Sequence, residues 1–245
     1  MRHRDHTYVG QELALFRNAR NWRAYWSREI LPFLGNSVLE VGAGIGSVTR
    51  RLAENAEHWV ALEPDPTLAG QIFDAGTSSS VEVKVGTVRD LSESATYDSI
   101  IYIDVLEHIL DDVGELEYAA KLLKPGGFLV ILVPAHMALY SPFDKAIGHH
   151  RRYSRSSLGH VLPSRGRVRR VGYLDSVGLL ASGMNRFFLR SSIPTERQIL
   201  FWDRWMVPLS TVLDKLVRGK VGKSLLVVWE NGTEDSSDRQ ELGSH

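Results

Sequence analysis

The chain has 245 residues, enough for one large domain with a sizeable core. Its 29 Lys and Arg balance its 29 Asp and Glu, so no polyelectrolyte partner such as nucleic acid is expected. The absence of cysteine excludes disulfides, thiol nucleophiles and cysteine-held zinc or iron–sulfur clusters.

Residues 11–31 predict a helix, because Leu13, Phe16, Trp22, Tyr25, Trp26 and Ile30 recur at helical spacing and Pro32 lies just beyond. The first residues, MRHRDH, lead into polar sequence, so a secretory leader is not expected. No run of about 18 apolar residues suggests a membrane span, and a cytoplasmic location fits. An alternation follows. Strands are predicted over 37–41, 58–63, 81–85, 97–103 and 128–133, with helices over 47–54, 67–75 and 112–123 between them. Continuous apolar strands between helices imply a parallel sheet covered on both faces. Pro64 and Pro134 end two of the strands, and Lys124-Pro125-Gly126-Gly127 ends a helix.

Beyond Pro134 the pattern changes. Residues 135–153 read as a polar, aromatic and basic loop. Ser154 suits the cap of a short helix reaching Leu162. A strand over 167–175, helices over 177–190 and 196–217, and a last strand over 222–229 complete the reading. Residues 231–245 are expected to form a flexible tail. Between Lys145 and Arg170 stand eight Lys or Arg and no acid.

The strand ending at Val41 runs into Gly42, Gly44 and Gly46, and a helix begins near Ser47. Glycine there lets a ligand approach the backbone, and the helix start offers unpaired N–H groups. In an open α/β sheet such a turn is where ligands sit. The alternatives are an ordinary tight turn or a dinucleotide site. The dinucleotide fingerprint is G-x-G-x-x-G and serves a pyrophosphate. Here the spacing is G-x-G-x-G, and Glu40 would repel a pyrophosphate but suit an ammonium or sulfonium. Glu63, ending the second strand before Pro64, is placed to accept the hydroxyls of a ribose.

These residues resemble the class I S-adenosylmethionine (SAM)-dependent methyltransferases. LEVGAGIGSVTRRLA at 39–53 is similar to their first motif and VALEPDP at 60–66 to their second-strand acid. YDSIIYIDVLEHILDD at 97–112 and LLKPGGFLVILVP at 122–134 resemble their fourth and fifth strands. AHMALYSPFDKAIGHHRRYSRSSL at 135–158 and the segments FWDRWMVPLSTVLDKL and GKSLLVV resemble a bacterial subgroup of small-molecule, lipid-pathway and specialised-metabolite enzymes. The resemblance implies a Rossmann-like α/β fold with a seven-stranded, mostly parallel sheet whose last strand is antiparallel. It implies an N-terminal helical lid over 1–34 and a methyltransferase domain over 35–230 containing an acceptor-binding insert at 135–165. It implies SAM as cofactor, held by Glu40, Gly42, Gly44 and Gly46 at the methionine, Glu63 and Pro64 at the ribose, and Thr87 and Val88 at the adenine. Asp104 and Val105 then face the amino group and sulfonium. Many relatives carry Asp where this chain has Thr87, so the adenine contact falls to the Thr87 hydroxyl, a backbone carbonyl or water.

Methyl transfer is an in-line displacement, and the protein chiefly aligns the acceptor. His108, just past the fourth strand, is the candidate general base, with Glu107 to orient it, unless the two brace the following helix. Asp104, Glu107 and His108 also resemble a metal triplet of some related methyltransferases. No fourth ligand is apparent, and no metal is expected. His136, His149, His150, Arg152 and Tyr153 are candidates for holding an anionic acceptor, unless they tie the loop to neighbouring acids. Trp22 and Tyr25 line an apolar acceptor pocket or dock their helix on the core. Phe201, Trp202, Trp205 and Met206 suit core or lid packing, a dimer contact or a membrane surface. The expected activity is methylation of a small molecule on oxygen, nitrogen or carbon, by a monomer or homodimer. The alternatives are a lipid-linked acceptor at a membrane surface and a non-catalytic SAM-fold binding protein.

Overall fold

The computed structural model describes residues 16, 18–74, 79–94, 96–184 and 195–232. The expectations for residues 1–15, for the end of the helix over 177–190 and for the tail beyond 232 lie outside the described residues. The strands are β1 (Ser37–Val41), β2 (His58–Glu63), β3 (Val81–Val85), β4 (Tyr97–Ile103), β5 (Leu123–Pro134), β6 (Gly166–Leu174) and β7 (Ser224–Asn231). They form one seven-stranded sheet in the order β3-β2-β1-β4-β5-β7-β6. The first five pair in parallel, and β7 runs antiparallel to both of its neighbours.

Alternation along each strand divides the core between the two faces of the sheet. Leu39, Val60, Ile100, Leu129 and Ile131 pack on one face. Val38, Ala61, Ile101, Val130 and Leu132 pack on the other. All ten are buried, each valine, leucine or isoleucine side chain among them contributing on the order of 2 kcal/mol of burial. That explains the unbroken apolar runs: both faces of every central strand are covered.

The second face is covered by α1 (Arg20–Ile30), whose Trp22, Tyr25, Trp26 and Ile30 are buried against it. The cap residue Ala19 has no side-chain oxygen to offer. Asp203, far along the chain, supplies it instead: its carboxylate accepts the backbone N–H of Asn21 at 3.1 Å and of Trp22 at 2.8 Å. The Tyr25 hydroxyl donates to Asp214 at 2.8 Å. Burial and that acceptor push the phenol above its ordinary range.

The helix expected over 196–217 is three pieces. An α-helix, Glu196–Phe201, leads into a π-turn, Trp202–Met206, and then an α-helix, Val207–Leu216. Pro208 accounts for the break. It has no N–H for the carbonyl one turn earlier, and its ring pushes that carbonyl away. The fifth strand also differs from expectation, beginning at Leu123 instead of Phe128. Lys124 to Gly127 do not end the helix in a separate turn. They form an irregularity inside the strand, with the β4 register shifting between Tyr97 and Ser99. The helix expected over 47–54 is shorter, an α-helix at Thr49–Leu52 followed by a 3-10 turn at Ala53–Asn55.

Candidate functional site

Strand order reverses between β1 and β4, and the carboxyl ends of these two strands open onto a crevice. Gly42, Gly44 and Gly46 follow the end of β1 with φ of 68°, 56° and 75°, a region that side chains disfavour. A Cβ added at Gly42 would meet Val105 Cγ2 at 2.7 Å. The N–H groups of Gly42 and Ala43 donate to the Leu62 carbonyl at 2.8 and 3.0 Å. Gly44 N–H donates to Glu63 Oε2 at 2.7 Å, and Asp65 N–H donates to Glu63 Oε1 at 2.9 Å. Glu63 therefore stitches the loop to the end of β2. Each of its oxygens keeps a lone pair for a hydroxyl. Burial raises its carboxyl, opposed by the two N–H bonds.

Glu40 faces inward instead. Residue 40 shares a sheet face with Val38, so its carboxylate lies beneath the loop and is 2% exposed. Oε2 accepts from Thr49 Oγ1 at 2.6 Å and Trp59 Nε1 at 2.8 Å. Burial pushes this carboxyl up to about 7 against those bonds. The direct contact with a positive ligand expected from sequence becomes, in this geometry, support for the residues that follow the loop.

Pro64 closes β2, and Asp65 caps the next helix by accepting Thr67 N–H at 2.8 Å. Past β3, the Thr87 N–H and hydroxyl both donate to Asp90 Oδ2 at 2.8 Å, and Val88 is buried. The Thr87 hydroxyl is thus engaged within its own turn. At the end of β4, Asp104 has φ 54°, a conformation costly for a non-glycine residue and concentrated at functional sites. Its surface is exposed. The surrounding protein raises its carboxyl, against the pull of His149, Lys223 and Arg152.

The 3-10 turn Leu106–His108 follows. Glu107 is 0% exposed, and neither of its carboxylate oxygens has a hydrogen-bond partner. It does not orient His108 as expected; His149 Nε2 stands 3.6 Å from Glu107 Oε1. The rings of His108 and His149 meet edge to face, with centroids 4.6 Å apart. Burial, then the charges of His149 and His150, lower His108 to about 4, so it is neutral at pH 7.

The loop after β5 folds around Asp144. This buried carboxylate accepts Arg152 Nε at 2.8 Å and Nη2 at 3.1 Å, and lies 3.1 Å from His149 Nδ1. Those donors hold its carboxyl below the usual range despite burial. The Tyr153 hydroxyl donates to Asp112 at 2.8 Å, and the ring is 1% exposed. His136 stacks on Tyr173 and reaches the Gly222 carbonyl at 3.0 Å. Trp22 packs against Trp202. Of the acceptor candidates, Trp22, Tyr25, His136, Arg152 and Tyr153 are thus engaged in packing or ties to neighbouring groups. His150 is exposed, and His149 is brought to Glu107 and His108.

Sequence reasoning missed Asp144, because an acid five residues before His149 in a short helix carries no distinctive spacing. It also missed Arg20, Arg23, Arg50 and Arg51, which line an open basin beside Ile45 and Ser47 of the loop. Alternation of basic and apolar residues on a surface helix is unremarkable until the fold brings two such stretches together.

A family profile described as a methyltransferase domain matches residues 15–166. The chain is 32% identical over 111 residues to the ubiquinone biosynthesis O-methyltransferase of Xylella fastidiosa (strain 9a5c), covering 44% of this chain and 45% of that protein. The Methylocella silvestris protein of the same name is 30% identical over 101 residues, covering 40% of each chain. The chain thus spans about half the length of the curated relatives it matches. In fold, it superposes on an S-adenosylmethionine dependent methyltransferase from Mesorhizobium loti with TM-score 0.59 at 16% identity, covering 89% of this chain and 100% of that one. An Archaeoglobus fulgidus SAM dependent methyltransferase gives TM-score 0.60 at 13% identity, covering 91% and 100%. The profile match extends over more than half of the chain and contains the glycine loop, Glu63 and the turn after β4, and on that ground the chain belongs to the class I SAM-dependent methyltransferase family.

Proposed function

We propose that this protein methylates a hydroxyl oxygen of a small organic acceptor, with SAM as donor. SAM supplies a methyl group already activated by its sulfonium. The observation that carries the reading is the placement of a neutral imidazole, His108, immediately beyond the strand end that faces the glycine loop. Such a group offers a lone pair to a hydroxyl that must lose its proton as it is methylated. The relatives named O-methyltransferases support oxygen as the acceptor atom. The residues that hold the donor are the Gly42–Gly46 backbone and Glu63, with Asp104 on the crevice side. Arg20, Arg23, Arg50 and Arg51 are placed to take a carboxylate.

The test is transfer of labelled methyl from SAM to a panel of phenolic and aliphatic hydroxyl compounds. Label on oxygen is expected, with His108→Ala lowering turnover about 100-fold while SAM affinity changes little. Label appearing only on nitrogen or carbon, or full turnover in His108→Ala, contradicts the reading.

One observation favours a lipid-linked acceptor as a second reading. Phe201, Trp205, Leu209, Val212 and Leu216 are exposed at helical spacing along the C-terminal helices, beside Arg204 and Lys215. No described helix is long and apolar enough to cross a membrane. Co-sedimentation with anionic vesicles at low salt is expected under this reading, and its absence counts against it.

A further inference from the structure

We propose that the basin lined by Arg20, Arg23, Arg50 and Arg51 is a binding site for a phosphate-bearing organic ligand, held through a phosphomonoester or diphosphate group. The basin spans about 610 Å³, a volume usual for small-molecule sites. Ser47 and Gln71 complete its polar lining, Ile45 adds an apolar wall, and no acid belongs to it among the described residues. A chain of zero net charge thus gathers four cations in one place.

Two elements bring them together. Arg20 and Arg23 stand three apart on α1 and share one face of that helix. Ser27 lies four residues further along the same face, and its hydroxyl accepts Arg51 Nε at 3.0 Å. That bond ties the helix Thr49–Leu52 to α1. Arg50 Nη1 donates to the Ile45 carbonyl, inside the glycine loop, at 2.9 Å. Neutral oxygens therefore fix both heads, and each bond uses one of the five N–H donors of a guanidinium. The arginine ion pairs among the described residues are made by other arginines than Arg20, Arg50 and Arg51.

The crowding shows in Arg23. Burial holds its guanidinium below the ordinary range, and Arg51, Arg20 and Arg50 push it the same way against the pull of Asp203. Asp203 brings one charge against four, and its oxygens already accept the α1 N–H groups. An anion entering the basin relieves that repulsion.

The number and form of the donors favour phosphate. A carboxylate has one charge and two oxygens in a plane, which a single guanidinium answers with two parallel bonds. A phosphomonoester carries about 1.5–2 negative charges at pH 7 and three terminal oxygens, and takes donors from several directions. Guanidiniums from two helices supply them. Phosphate binding rests on the proposed reading of the basin as an anion site and is independent of methyl transfer. The Arg50 head also lies against the glycine loop, where a Cβ added at Gly46 would meet its Nη1 at 3.1 Å. The carboxylate of SAM itself is therefore the competitor to exclude.

The test is calorimetric titration of glycerol 3-phosphate and of inorganic pyrophosphate into the full chain at low salt, with and without the demethylated donor, S-adenosylhomocysteine. One site per chain is expected for at least one of the two probes, with acetate binding at least tenfold more weakly. Arg20→Gln and Arg50→Gln should each weaken the site about tenfold, while Arg167→Gln on β6 leaves it unchanged. Arg20 is exposed, so its variant reads the site even if Arg50→Gln fails to fold. Co-sedimentation with phosphatidate vesicles separates the sources: pelleting that Arg20→Gln abolishes, without saturable binding of the soluble probes, assigns a lipid headgroup. Binding of neither the soluble probes nor the vesicles overturns the proposal. So do loss of phosphate binding once S-adenosylhomocysteine is bound and an equal effect of Arg167→Gln. Acetate binding as tight as phosphate overturns it while leaving the carboxylate reading in place. SAM titration of the same protein separates these failures from failure of the methyl-transfer reading.

Discussion

Replacing Gly42 by alanine probes how the loop is built. Two separate costs follow from the geometry. At φ 68° an L-residue loses on the order of 1–2 kcal/mol relative to glycine. The new Cβ would also sit 2.7 and 2.8 Å from the two Val105 methyls, an overlap worth roughly 1–3 kcal/mol in a packed site. Together they predict a loss of about 2–5 kcal/mol. Urea unfolding followed by tryptophan fluorescence measures it, since the chain carries six Trp. Val105→Ala in the same background removes the overlap and leaves the backbone cost. The pair of substitutions should therefore couple favourably by about 1–3 kcal/mol. Additivity within about 0.5 kcal/mol would refute the reasoning, because the two residues would then not be in the contact described.

Glu40 predicts a pH dependence. Its carboxyl is raised to about 7 in the folded chain, against about 4.3 unfolded, so the folded state holds its proton more tightly. The contribution is fully present below the unfolded value and is lost as pH rises through about 7. The stability difference between wild type and Glu40→Gln should therefore move against the wild type by on the order of 3 kcal/mol between pH 4 and pH 8. A flat difference in unfolding experiments across that range contradicts the burial argument. Asp203→Ala should strip α1 of its acceptor, costing about 1–2 kcal/mol. The Asn21 and Trp22 amides should exchange faster by hydrogen-exchange mass spectrometry, and unchanged exchange there excludes the capping role.

Much of the fold was legible because the central strands are covered on both faces. Val38 and Leu39, Ile100 and Ile101, and Leu129 and Val130 are adjacent pairs whose members pack on opposite faces, leaving an unmistakable apolar run. The glycine loop was legible for a different reason: three positive-φ positions after a strand demand glycine. Side-chain direction was less legible. Glu40 reads as a ligand contact until Trp59, on the neighbouring strand, is seen to hold it. Tyr25 and Trp22 read equally as pocket or packing residues. The choice was made by Asp214 and Trp202, nearly the whole chain away. The cluster of Glu107, His108 and His149 depends in the same way on Asp144 and Arg152 folding the basic loop back onto β4. Pairings of this kind leave no periodic trace.

The most direct test of the central claim, that the Gly42–Gly46 loop is the SAM site, is calorimetric titration of SAM into the wild-type protein and Gly44→Val. Gly44 has φ 56°, and its N–H is committed to Glu63 at 2.7 Å. A valine there forces the backbone out of that conformation and breaks the tie between the loop and the Glu63 carboxylate. One SAM per wild-type chain is expected, with affinity reduced at least 100-fold in a folded Gly44→Val variant. Equal affinity in the two proteins would contradict the assignment.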